Sequence, residues 1–334
     1  MSTLLPLAIT LKLSGHSQEK DDYDALRTDS QIRQYYQDNG YVVIRSLLPE
    51  ELCDRARMHF LSEVKPYTGY IYRQASARPE KHIFTPGGHM LNAIMNVQDL
   101  NKRTFPLFRQ VSLEVLTHSH LLKRASAILQ HESIMAQSMY FEGNPATWAH
   151  LDSDYLDSSQ TGGMVGAWIA LEDIHPHAGR FYIYPKSHQI KVPNAQHIVL
   201  DRANYEKVIL QTIEQQGLTC KVPALRKGDV LFWHGDTIHG SLPTTELAFS
   251  RSSYTAHFIA RHSHLLQYHL IRKNLKLRKY QDAYVNFPKD QNKLHNKLIF
   301  NLETSFPNVF YKLKRMAIRM SMELPQLLGP FPKS

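Results

Sequence analysis

The sequence predicts a mainly β fold with flanking helices (α+β): a jelly-roll core, helices packed on one side, and a basic C-terminal helical extension. Three observations carry this expectation. Segments with helical spacing precede Gln130, short segments rich in Val, Ile, Tyr, Phe and Trp follow from Ser133, and Lys and Arg accumulate after Arg261. Helices first and strands later argue for one sheet core covered on a face, not for alternating β-α units. A chain of 334 residues, 43% hydrophobic and 21% charged, suits one main domain over residues 1–262, with 263–334 packed on it or capping it.

The elements follow in order. Asp29 or Ser30 is placed to cap a helix through Ile32, Tyr35 and Tyr36 that Gly40 ends, and Tyr41 to Ile44 reads as a buried strand. Pro49 opens a second helix that reaches about Val64. Lys65 to His89 lacks periodicity and reads as long loops of the kind that roof a pocket. Phe105 to Gln130 carries two helical pieces, the first with Leu107, Val111, Val115 and Leu116 on one face. Met135–Phe141, Gly163–Leu171, Arg180–Tyr184, Leu218–Val222, Asp229–Trp233 and Ser252–Phe258 read as strands, with a helix inserted over Asp201–Gln216. After Arg261 the pattern returns to helix and loop.

Composition sets bounds on partners. Arg261 to Ser334 holds fourteen Lys and Arg against four Asp and Glu, a balance of +10 within a net +9, so the body is close to neutral. That excess favours an anionic or carrier-bound small-molecule substrate, a neutral one staying open, and no nucleic-acid module accompanies it. Cys53 and Cys220 are far apart and fit neither a disulfide framework nor a zinc pair, so a reducing cytoplasm is expected. Met1 to Leu13 is leucine-rich but interrupted by Pro6, and is read as a segment packing on the body; no transmembrane span is expected.

The chemistry concentrates in two stretches. In Trp148-Ala-His150-Leu-Asp152, residues two apart on extended backbone point to one side, so an imidazole and a carboxylate can reach one ion. In Gly228 to Ser241, His239 supplies a third donor near a strand end. Two histidines and one carboxylate on one face of an octahedral ion are the triad of non-haem iron(II) oxygenases, with positions left open for a 2-oxo acid and O2. Arg251, twelve residues after His239, has the planar fork to hold the far carboxylate of 2-oxoglutarate, with the Ser241 and Ser253 hydroxyls nearby. His234 and Asp236 compete for the third position, and His175, His177 and His188 read as loop histidines. Gln137, Tyr140 and Asp154 are candidate substrate contacts.

An opening helix with Gly40 to Ile44, His150-x-Asp152, a strand with Trp168, the Pro185-Lys-Ser-His188 turn, Gly228-Asp-Val, His239-x-Ser241 and Arg251 together resemble the phytanoyl-CoA dioxygenase family of iron(II)/2-oxoglutarate oxygenases, over roughly residues 28 to 262. The resemblance implies a double-stranded β-helix in which His150, Asp152 and His239 bind iron, and Arg251, Ser241 and Trp168 contact 2-oxoglutarate. It also implies hydroxylation, or another outcome of hydrogen abstraction such as desaturation or ring formation, with release of succinate and CO2. Halogenating members carry Ala or Gly where Asp152 stands. Two other classes compete: a non-catalytic jelly-roll ligand-binding protein, and a cupin-like metalloenzyme that does not use 2-oxoglutarate.

Overall fold

A computed structural model of the protein describes residues 22–160, 162–192, 201–269 and 271–316. The Met1 to Leu13 segment and Arg319 of the basic tail lie outside these residues.

Helix α1 (Asp29–Asn39) starts one residue earlier than Asp29 or Ser30 would place its cap. The Thr28 hydroxyl accepts from the Gln31 N–H while the Gln31 side chain reaches back to the Thr28 N–H, a reciprocal capping box. It ends at Gly40, whose φ of 76° is left-handed and whose missing Cβ would meet His188 Nδ1 at 2.4 Å and Thr237 Oγ1 at 2.5 Å. The chain then enters β1 (Tyr41–Ile44), and α2 (Glu50–His59) follows Pro49 and runs on as a π-helical turn to Val64. Short strands β2 (Ile71–Tyr72), β3 (Pro79–Glu80) and β4 (Ile94–Met95) punctuate the expected loop region.

Helices α3 (Pro106–Leu116) and α4 (Ser119–Leu129) precede β5 (Ser133–Phe141), β6 (Leu156–Ser158), β7 (Met164–Ala170) and β8 (Phe181–Ile183). Then come α5 (Arg202–Gln215), β9 (Val230–His234), β10 (His239–Ser241) and β11 (Ser253–Ala260). The chain continues through β12 (Leu265–Gln267), β13 (Ile271–Lys273), β14 (Leu277–Tyr280), β15 (Ala283–Asn286) and α6 (Leu294–Ser305), and residues 307–316 are again helical.

The large sheet runs β1-β9-β7-β11-β5-β15-β14, with β4 also on β5; its one parallel pair is β15 with β5. Facing it is a smaller layer of β8 and β10, widened by bridges from His150 to His239 and from Ile183 to Lys221. Phe181 of β8 meets Trp168 and Trp233 of the large sheet at 6.3 and 5.3 Å, so the two layers close on each other as a double-stranded β-helix.

Cross-strand partners share a face, which sorts the large sheet. Ser253, Thr255 and His257 register with Ala170, Trp168 and Gly166 and look inward, and Trp233 pairs with Gly166. The alternate residues Tyr254, Ile169 and Val230 look outward to the helices, where Tyr140 stacks 4.4 Å from Phe60 and 5.2 Å from Phe108. Full burial of side chains such as Phe60 and Phe108 stabilises by about 1.5–3 kcal/mol each.

Three further sequence expectations are corrected. Leu107 is exposed, and Phe108 takes the buried position beside Val111. Leu218–Val222 reduces to the single bridge at Lys221. The stretch after Arg261 builds four strands before any helix. Those at its edges, β13 and β14, are largely exposed and carry Arg272, Lys273, Arg278 and Lys279, so they lack an apolar alternation to read.

Candidate metal centre

His150 and His239 are fastened to each other through the backbone, His150 N–H to His239 O at 3.0 Å and His239 N–H to His150 O at 3.1 Å. Their rings lie 4.4 Å apart. The loop carrying Asp152 is held on both sides: Leu151 N–H donates to the Tyr205 hydroxyl of α5 at 3.2 Å, and Ser153 N–H donates to Gly235 O at 3.1 Å. The His150, Asp152 and His239 donor atoms all fall within 4.8 Å of one another, and no other such cluster of three metal-binding side chains occurs among the described residues. Asp152 Oδ1 stands 3.4 Å from His150 Nε2 and 3.6 Å from His239 Nε2.

Each donor is oriented by a second contact. His150 Nδ1 lies 2.9 Å from Trp148 O and His239 Nδ1 lies 2.9 Å from Thr237 O; a carbonyl can only accept, so each ring carries its proton on Nδ1 and presents an Nε2 lone pair. Asp152 Oδ2 accepts from Trp233 Nε1 at 2.8 Å and from His257 Nε2 at 3.0 Å, which leaves Oδ1 free to face the histidines. Gly166 makes this possible, because a Cβ there would sit 2.2 Å from the Trp233 ring. Trp233→Phe keeps the ring and removes the donor, and is expected to weaken iron(II) binding by about 10- to 100-fold with the fold intact. Circular dichroism and an iron titration check it; undiminished affinity would mean that the indole N–H does not orient Asp152.

The electrostatics suit a cation. Burial penalises charge on Asp152, but His239, His257 and His150 around it hold its carboxyl well below the ordinary range. Burial lowers His239 to about 4, so it stays neutral near neutral pH, whereas in His150 the Asp152 carboxylate outweighs burial and raises it. Two imidazole nitrogens and one carboxylate oxygen fit iron(II) in donor number and kind.

Arg251 supplies the second half of the site. It is buried, gives one hydrogen bond from Nη1 to Gly179 O at 3.3 Å, and leaves Nε without a partner; no carboxylate lies within 4 Å among the described residues. Burial lowers its pKa to about 10, which still leaves it charged. A buried, unpaired guanidinium is costly unless an anion joins it. Trp168 lies 5.7 Å from it and Phe181 links Trp168 to His239, on which it stacks at 5.3 Å, so one aromatic wall runs from Arg251 to the histidines. A dicarboxylate fits these residues.

The other sequence candidates divide. Ser241 sits at the site but its hydroxyl donates to Asn144 Oδ1 at 3.0 Å and accepts from Thr147 N–H at 2.8 Å, tying the 144–147 turn to β10. Ser253 Oγ donates to Arg251 O at 3.2 Å. Gln137 is half-buried on the inward face opposite His257. Tyr140 is corrected: it points outward into the helix-side core. Asp154 is corrected too, because it is buried and accepts from Tyr205 Oη at 2.5 Å while His269 Nε2 lies 3.1 Å away, which makes it a brace for the loop. His234 is on the outward face beside Tyr36 and His188. His188 Nε2 donates to Gln37 O, and His175 stacks on Phe249.

His257 and Trp233 are the functional residues that the sequence reading missed. Counting by twos from Arg251 along β11 reaches 253, 255 and 257, so the period of a strand was the available signal.

The family described as Phytanoyl-CoA dioxygenase (PhyH) matches residues 36–252. Phytanoyl-CoA dioxygenase domain-containing protein 1 of Danio rerio is 26% identical over 275 residues, covering 70% of this chain and 90% of that protein. The peroxisomal phytanoyl-CoA dioxygenase of Homo sapiens is 23% identical, covering 70% and 69%. In fold the chain is similar to the non-heme alpha ketoglutarate dependent epimerase SnoN from nogalamycin biosynthesis (TM-score 0.53, 16% identity, 78% and 98% covered). It is likewise similar to EctD from S. alaskensis with 2-oxoglutarate and 5-hydroxyectoine (TM-score 0.51, 14% identity, 83% and 90% covered). With the match spanning most of the chain, the protein belongs to the phytanoyl-CoA dioxygenase family and is an iron(II)- and 2-oxoglutarate-dependent oxygenase.

Proposed function

We propose that His150 Nε2, Asp152 Oδ1 and His239 Nε2 hold iron(II), that Arg251 grips the far carboxylate of 2-oxoglutarate against Trp168, and that the enzyme hydroxylates a small organic substrate. The observation that carries this reading is a buried guanidinium without an anion at one end of an aromatic wall whose other end is the His-Asp-His cluster. Iron(II) with 2-oxoglutarate and O2 supplies an oxidant that takes hydrogen from a C–H bond, with release of succinate and CO2. The chain's own residues have narrower tasks. Trp233 and His257 hydrogen-bond to Asp152 Oδ2 and would leave Oδ1 as the oxygen offered to the ion. The burial of Arg251 strengthens its pairing and fixes the direction in which the co-substrate enters.

For the substrate we infer an anionic or carrier-bound molecule, from the basic excess after Arg261; the acyl-CoA ester in the names of the curated relatives is of this class. Gln137, half-buried on the inward face, is a candidate contact for it. We infer a reducing compartment such as the cytoplasm from the free, buried thiols of Cys53 and Cys220.

Anaerobic titration of iron(II) and then 2-oxoglutarate into the protein tests the assignment. A weak visible metal-to-ligand charge-transfer band is expected once both are present. A folded protein that binds 2-oxoglutarate without the band would favour the ligand-binding alternative, and a band-forming protein whose turnover ignores 2-oxoglutarate would favour the cupin-like one.

A further inference from the structure

Helix α6 and the helical residues 307–316 attach to the body by one narrow face. Asn296 Nδ2 donates to Asp290 O at 2.9 Å, Phe300 meets the Tyr72 ring at 5.5 Å, and buried Glu303 accepts from the hydroxyls of Tyr72 and Tyr311. Positions 296, 300, 303 and 311 recur with helical spacing. The opposite side carries Leu294, Leu298, Leu302, Phe306, Val309 and Leu313, all more than half exposed. Scattered exposed leucines are ordinary, but a continuous stripe of large apolar side chains along two successive helical segments is a binding surface.

Charge indicates what the stripe meets. Residues 291–316 contain Lys293, Lys297, Lys312, Lys314 and Arg315, and their single acid is Glu303, which faces inward. None of these five bases is within 4 Å of a carboxylate among the described residues. Lys273 of β13 lies close enough to Lys314 for the like charges to lower its pKa, after the larger effect of burial, so the basic surface extends beyond the helices. Two copies meeting through this face would bring five bases against five bases, which opposes self-association. An acidic lipid surface meets both demands: long basic side chains reach phosphates while the apolar stripe enters the headgroup–acyl boundary.

We propose that this face docks the protein on an anionic bilayer, with α6 and residues 307–316 lying in the plane of the interface. The attachment is peripheral, since no helix among the described residues is long and apolar enough to cross a membrane. It rests on no part of the metal-site assignment.

Co-sedimentation of the full chain with large vesicles, either pure phosphatidylcholine or phosphatidylcholine containing phosphatidylglycerol, tests it. The anionic vesicles are expected to carry down at least about fivefold more protein, and binding is expected to fall as salt rises from about 0.1 M to about 0.5 M. Leu298→Ser/Leu302→Ser/Leu313→Ser is expected to lose at least about fivefold of the binding with an unchanged circular dichroism spectrum, and Lys312→Gln/Lys314→Gln/Arg315→Gln is expected to lose the preference for anionic lipid. Binding unaffected by the serine variant overturns the proposal, as does a wild type that stays off the vesicles. In the latter case sedimentation velocity separates a dimer that the serine variant loses, which would make the face a contact between copies, from a monomer whose stripe is covered by its own chain.

Discussion

Asp152→Ala is expected to give a folded protein that binds iron(II) more than about 100-fold more weakly and forms no succinate above background, an effect larger than that of losing an outer partner of a ligand. The substitution removes one of three donors, and also the only acceptor that Trp233 Nε1 and His257 Nε2 have among the described residues. Leaving such buried donors unsatisfied costs about 1–3 kcal/mol each, so a lower thermal midpoint should accompany the lost affinity. The body of the fold should survive, because the large sheet and its helix-side core do not depend on the Asp152 loop. Iron titration, succinate assay and thermal melting on one preparation read all three effects. Retained affinity would remove Asp152 from the ligand set.

Arg251→Lys is expected to raise the KM for 2-oxoglutarate by about 10- to 100-fold, the span that corresponds to losing charge-assisted hydrogen bonds. Iron(II) affinity measured without the co-substrate should not change. The lysine retains the charge but has neither the planar fork nor the flat surface that Arg251 lays beside Trp168 and Phe141, whose rings are 5.7 and 5.6 Å from its guanidinium carbon. An unchanged KM would mean that the co-substrate's far end is held elsewhere.

The sequence was informative where chemistry is encoded in local spacing. His150 and Asp152 are two apart on extended backbone, His239 opens β10 just after the Gly235-Asp236 turn, and the Thr28 to Gly40 helix shows its end in a glycine; each of these is a short-range property. Properties set by which strand lies beside which were harder to read. Tyr140 and Gln137 sit on the same strand, three apart, and only the register with β11 and the packing of Phe60 show that the first looks toward helices and the second inward. Asp154 looked available because its partners, Tyr205 and His269, are 51 and 115 residues distant. His257 carried no motif; the period of two from Arg251 marks its face, and its partner appears when a strand closes the sheet against the Asp152 loop.

The reciprocal backbone bonds between His150 and His239 have a thermodynamic meaning. Many small metal sites assemble only when the ion arrives, so that binding energy is spent on folding and chelators denature the protein. Here the spacing of two of the three donors is set by the backbone hydrogen bonds of a β-bridge, which involve no ligand atom, so part of the ordering entropy is met by folding of the chain. Iron(II) then stabilises this protein only through mass action, by about 2.7 kcal/mol when free metal is a hundredfold above its dissociation constant. Loss and reloading of the ion are therefore expected to be reversible exchanges within a native scaffold, and a protein stripped with a chelator is expected to keep its circular dichroism spectrum and to take iron(II) back.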